Sequence, residues 1–216
     1  MLTPERVECH ELLDEHDAPR ADMERSLRDL WRINRWLGGV GIYNRLLRRF
    51  EAASVLDVGA GTCEVVNTAP ARLRIGLDQK IEHLLYRRES TRGVHRVAGE
   101  ALNLPFRDGA VDAVTSAHFF HHFSPDENAR ILAESLRVAR RGVAVNDTRR
   151  HYLPLLFVQL VAALRLVGRI TRFDAPASVR QGYTTGEARA IAERVPAARH
   201  ELVSAWPFRF GIVLWK

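Results

Sequence analysis

Residues 55–66 read VLDVGAGTCEVV: an apolar strand pattern broken by Asp57 and running straight into Gly59-Ala60-Gly61. Glycine lets a backbone turn sharply and approach a ligand without an intervening Cβ. The pattern predicts a strand, a tight turn and then a helix whose free amide groups point back at the turn. Such a unit belongs in a parallel α/β sheet, with the turn at its binding edge. The spacing argues against a dinucleotide. The sixth position of the GxGxxG pattern is Glu64, and a carboxylate is electrostatically wrong beside a pyrophosphate.

The remainder of the chain agrees with this architecture. RLRIGL, GVHRVA, VDAVTS and GVAVND are further buried-strand candidates, several of them separated by helical patterns. Before GVAVND, Ser124 caps a helix that has Pro125 at its first position and Glu127 completing a capping box, and Gly142 is expected to end it after Arg140 and Arg141. HELVSAW and FRFGIVLW, separated by Pro207, predict two strands that pair antiparallel. The expected fold is therefore α/β and Rossmann-like: a mostly parallel seven-stranded sheet ending in an antiparallel hairpin.

Helices are expected to cover the N-terminus. Thr3-Pro4-Glu5 reads as one helix start. SLRDLWRINRWL follows, with Leu27, Leu30, Trp31, Ile33 and Leu37 near one face and a stop at Gly38-Gly39; IYNRLLRRF then leads into the body. The domain reading is an N-terminal helical cap over 1–50 and a ligand-binding domain over 51–216, carrying an apolar helical insertion near 152–168. A second capped helix runs through TTGEARAIAERV.

Composition enters mainly through what it excludes. A chain of 216 residues suits one domain. Its net charge of +6 comes from arginine, with Lys80 and Lys216 as the only lysines, and fits an anionic partner or membrane face as well as scattered solvated charge. Cys9 and Cys63 suggest neither a disulfide framework nor metal-ligand spacing, so no metal is expected. The N-terminal residues lack the apolar stretch of a signal peptide, and the most apolar segment, 152–164, is shorter than the ~20 residues that span a bilayer. A cytoplasmic protein is expected.

Asp57, Gly59 and Gly61 resemble the acidic-x-G-x-G-x-G first motif of class I S-adenosylmethionine-dependent methyltransferases, with Cys63 in place of the third glycine. Three later segments resemble that family in register: the strand ending at Asp78, GEALNLPF, and DGAVDAV. The resemblance implies S-adenosylmethionine as cofactor. Asp57 would lie near its amino group and the Gly59-Ala60-Gly61 turn would hold its methionine portion, with Cys63 either near the cofactor or a small packing residue at the start of the next helix. Asp78 would accept from the ribose hydroxyls, and Glu100 and Ala101 would face the adenine. Gln79 and Ser116 complete the implied cofactor set. Asp112 reads as structural, at the far end of its strand.

SAHFFHHF resembles the LHH segment of ubiquinone- and menaquinone-type methyltransferases, and it lacks the Asn/Asp-Pro-Pro-aromatic motif of enzymes that methylate nucleic-acid amino groups. SLRDLWRINRWLGG and GVAVNDTRR resemble a bacterial group often associated with type III polyketide synthases and thought to act on phenolic lipids or quinones. The resemblance implies a hydrophobic small-molecule acceptor, with O-methylation of a phenol or hydroxyquinone as the leading expectation. C-methylation of a quinol ring, cofactor binding without catalysis, and RNA methylation stay open, although nucleic acid is the disfavoured partner. Histidine titrates near neutrality, so His121 and then His118 are the candidate bases. Arg149 and Arg150 could hold an anionic acceptor or be solvated. A peripheral membrane contact and a homodimer also stay open.

Overall fold

In the computed structural model, which describes residues 3–14 and 19–216, the apolar runs form seven strands. They are β1 (Ser54–Val58), β2 (Leu73–Asp78), β3 (Val94–Ala98), β4 (Val111–Ala117), β5 (Ala139–Thr148), β6 (Arg199–Ala205) and β7 (Arg209–Trp215). They make one sheet in the order β3-β2-β1-β4-β5-β7-β6. β1 to β5 run parallel, and β7 lies antiparallel between β5 and β6. This is the predicted Rossmann-like sheet with its final hairpin. Strand order reverses between β1 and β4, so the crevice of such a sheet opens beyond their C-terminal ends.

Seven helices flank the sheet among the described residues: α1 (Arg20–Trp36), α2 (Gly39–Leu47), α3 (Ile81–Leu85), α4 (Pro125–Val138), α5 (Tyr152–Ala163), α6 (Arg169–Gln181) and α7 (Thr185–Ala192). Successive strand residues point to opposite faces. Leu56, Val114 and Ile212 bury with Leu132 of α4 and Ile191 of α7, while Val55, Ala113 and Val213 bury with Tyr43 and Leu46 of α2. At the N-terminal edge, Asp112 accepts from the Ala53 and Ser54 amides and from Arg140, a purely architectural role. The predicted capping boxes at Ser124 and Thr184 are both formed.

Three local expectations are corrected, and one helix has no counterpart among them. Thr3-Pro4-Glu5 starts no helix: residues 4–11 run as an irregular strap, and only Leu12–Asp14 make a 3-10 turn. Strap donors bond elsewhere, Val7 to the Arg180 carbonyl and Leu12 and Leu13 to the Asp174 carboxylate. Residues 1–2 and 15–18 of the expected cap lie outside the described residues. The helix expected after the glycine turn is reduced to a 3-10 turn at Val66–Thr68, because Cys63 is left-handed (φ 62°) and Pro70 closes the segment soon after. Gly142 does not end α4. That helix stops at Val138, and Gly142 lies inside β5, where a Cβ would stand 2.2 Å from the Leu214 carbonyl oxygen. Finally, α6 carries no apolar stripe that announces it.

Candidate active site

Gly59 and Ala60 both donate to the Leu77 carbonyl at 2.9 Å, which pins the turn after β1 against β2. Gly59 has φ 71°, and a Cβ there would lie within 2.3 Å of the Phe119 ring. Gly61 also has positive φ (50°) and its amide donates to Asp78 Oδ2 at 2.8 Å, yet a Cβ on it would meet open space. The turn is thus tight below and clear above. Cys63 is fully buried: its Sγ packs beneath Gly76, where a Cβ would come within 2.5 Å of it. Of the two readings of Cys63 the structure matches the packing residue: its side chain joins the core and does not project into the ligand space.

Two adjoining hollows follow the C-terminal ends of β1, β2 and β4. The smaller, about 110 Å³, is bordered by Asp57, Gly59, Gly61, Glu64 and Ala117. The larger, about 450 Å³, is bordered by Asp78, Gln79, Glu100, Ala101, Leu102 and Phe119. Gly59, Leu13, Leu30 and His118 border both. Two carboxylates, Asp57 and Glu64, edge the smaller hollow, which suits a cationic ligand group. Asp57 accepts from Thr115, whose hydroxyl also meets Tyr43 at 2.8 Å. Burial, helped by the nearby Asp78 carboxylate, pushes Asp57 up to about 7. Burial also raises Glu64.

A third cavity, about 500 Å³, lies between α1, α5 and α6 and the tip of the β6–β7 hairpin. Leu30, Ile33, Leu37, Phe157, Val161 and Val179 give it apolar walls, with Glu11, His118, Thr148, Asp174 and Arg209 among the polar residues that edge it. Arg209 is almost fully buried. Its Nε donates to the Leu37 carbonyl, while Nη1 has no hydrogen-bond partner among the described residues, and burial draws it down to about 10.

His118 borders all three hollows. It is held in the left-handed region (φ 57°) at the end of β4, a conformation disfavoured for non-glycine residues, with its amide donating to the Asn146 carbonyl. Its Nδ1 lies 3.4 Å from Asp147 Oδ1 at the end of β5. His121 is buried beside it: Nδ1 is 2.9 Å from Asp147 Oδ2, and Nε2 is 3.6 Å from Glu11 Oε1 of the strap. Despite the cost of burial, these two carboxylates hold His121 up at about 10, so it is a fixed cation at neutral pH. Desolvation and the His121 charge push His118 below the usual range even against the pull of Asp147, so it stays neutral. Asp147 is held well below, and Glu11 near 2, by the histidines around them. Ligand atoms of Glu11, His121 and His122, and those of His118, His121 and Asp147, lie within 4.8 Å of one another. In this structure the second group is bonded as an ion-pair network.

A family model described as a methyltransferase domain matches residues 56–145. A demethylmenaquinone methyltransferase of Thermotoga maritima is 33% identical over 100 residues, covering 44% of this chain and 43% of that protein. An Arabidopsis thaliana tRNA (carboxymethyluridine(34)-5-O)-methyltransferase is 33% identical over 89 residues, covering 41% and 22%. The chain matches less than half the length of these curated relatives. A SAM-dependent methyltransferase from Aquifex aeolicus shares the fold with a TM-score of 0.62 at 20% identity, covering 89% of this chain and 97% of that one.

Of the residues expected to hold a cofactor, Asp57, Gly59, Ala60, Gly61, Asp78, Gln79, Glu100 and Ala101 are all brought to the two polar hollows. Ser116 borders none of the three; its hydroxyl donates to the Val58 carbonyl and ties β4 to β1. Arg150 is spent on Glu187 and the Pro4 carbonyl, and Arg149 stacks over Phe208 at 5.5 Å. Glu11 and Arg209 were missed. Both are distant in sequence from every motif, and only the strap and the β6–β7 hairpin bring them in.

Proposed function

We propose that this protein is an S-adenosylmethionine-dependent methyltransferase that O-methylates a hydrophobic aromatic acceptor of phenolic or hydroxyquinone type. The observation that carries this reading is the position of His118, a neutral imidazole at the junction between the polar hollows beside the glycine turn and the apolar cavity. The residues fit the cofactor. Gly61 leaves a cradle that a Cβ would fill, Asp57 and Glu64 offer negative charge to an ammonium and sulfonium, and Asp78 and Glu100 stand along the hollow toward ribose and adenine.

When bound, the cofactor supplies an electrophilic methyl group on a sulfonium. The chain's own residues position the acceptor and remove its proton. With Nδ1–H facing Asp147 Oδ1 and Thr148 Oγ1, each 3.4 Å away, His118 keeps Nε2 as the acceptor for a phenolic proton, a role worth ~10²–10⁴-fold in rate. The unpartnered Arg209 Nη1 offers a donor to a second acceptor oxygen. The apolar walls exclude water and seat an alkyl or ring portion. The quinone-type relative supports the acceptor class.

Labelled methyl donor, incubated with an alkylated dihydroxyarene, a quinol and bulk tRNA, tests the reading. Label on an arene oxygen is expected. Label on tRNA alone would overturn it, and label on ring carbon would replace O-transfer by C-transfer within the same cavity.

A further inference from the structure

α5 carries no charged residue, and of its twelve residues only Leu155 is buried. Leu153, Leu156, Phe157 and Leu160, with Leu164 and Leu166 just beyond its end, are each 50–66% exposed. At 1.5 Å per residue the helix is about 18 Å long, too short to cross a bilayer. No helix among the described residues is long and apolar enough to cross one. The patch is continuous with the mouth of the apolar cavity, which Leu153, Phe157, Trp36 and Trp206 border. Both tryptophans are more than 70% exposed there.

Charge around this face decides what covers it. From Thr148 to Phe173 the sequence holds five arginines and no acidic residue. Arg169 is paired with Asp22 and Arg150 with Glu187, but the exposed Arg165, at the end of the patch, and Arg35, beside Trp36, have no acidic partner among the described residues. A second copy packed symmetrically on this face would bring like charges together. An anionic lipid surface satisfies both features, taking apolar side chains below its headgroups and arginine among them.

We propose that α5 and the turn after it dock this protein on bilayers containing anionic lipid, lying in the interface with the apolar cavity opening toward the acyl chains. Docking itself stands on the surface alone. Only its purpose, drawing an amphiphilic acceptor sideways from the membrane, rests on the cavity being the acceptor site.

Sedimentation of the full chain with vesicles tests it. Phosphatidylcholine vesicles containing phosphatidylglycerol should bind the protein at low salt, and pure phosphatidylcholine should bind it much less. The exposed double variant Leu156→Glu, Leu160→Glu should retain the native melting temperature and lose binding at least about tenfold. Equal sedimentation of variant and native protein, equal binding to both vesicle types, or none to either would overturn docking. So would a dimer in light scattering that the same variant dissociates. The vesicle result is independent of methyl transfer, so docking and the acceptor reading can fail separately.

Discussion

The hollows beside the glycine turn and the cavity beneath α5 meet at His118, yet they are built by opposite means. Backbone and carboxylates make the first: two pinned amides, a bare Gly61, and Asp57, Glu64 and Asp78 around it. Apolar side chains from separate helices make the second, with Arg209 the buried cation among them. A site made of backbone changes little when a side chain is replaced. A site made of side chains can be reshaped residue by residue. The comparison teaches that ligand charge is read on one side of His118 and ligand shape on the other.

The strongest way to break this division is His118→Asn, since asparagine tolerates the left-handed backbone. Turnover should fall ~10²–10⁴-fold with cofactor affinity unchanged, measured by single-turnover methyl transfer and calorimetry. In the native protein the acid limb of kcat/KM should lie below pH 6.5, because the His118 pKa is lowered. A parallel loss of cofactor affinity would show that the two sides are not separable.

His121→Ala comes next. It leaves the Asp147 and Glu11 carboxylates buried without their shared cation and should cost ~3–5 kcal/mol in denaturant unfolding. The pH dependence gives the sign. With a folded pKa of about 10, the His121 contribution is complete below pH 6.5 and is lost as pH rises through about 10. That of Glu11, at about 2, is complete above pH 4.5 and lost as pH falls through about 2. The variant should flatten the alkaline loss.

The smallest effect sharpens the polar side. Asp57 sits at about 7 without ligand, and a bound cation lowers it, so cofactor affinity should rise with pH through 7 and weaken up to about tenfold per unit below it. Calorimetry in buffers of different ionisation enthalpy would detect the released proton. Asp57→Asn should remove the dependence.

The same division explains what could be read from residue order. The sheet and the glycine turn were legible because strand periodicity and the absence of a Cβ are local properties. The acceptor side was not, since its polarity is inverted. α6 buries Thr171 against Ser26 and Asp29 of α1, and Asp174, Ser178 and Gln181 against the N-terminal segment's backbone and Glu11, while α5 exposes its leucines. A helix whose buried face is polar leaves no apolar stripe. Nor could the sequence show that His121 is locked as a cation, because Glu11 near the N-terminus and Asp147 at the end of β5 meet it only in the fold.

Cys63 has an experimental use that follows from its burial. The chain has two cysteines, Cys9 partly accessible and Cys63 sealed under the glycine turn, with its thiol pushed up to about 12. An alkylating reagent meets Cys63 only when the floor of that turn lifts. Its labelling rate relative to Cys9 therefore acts as an intrinsic stopwatch for breathing of the fold, and any small molecule that settles on the turn should slow it.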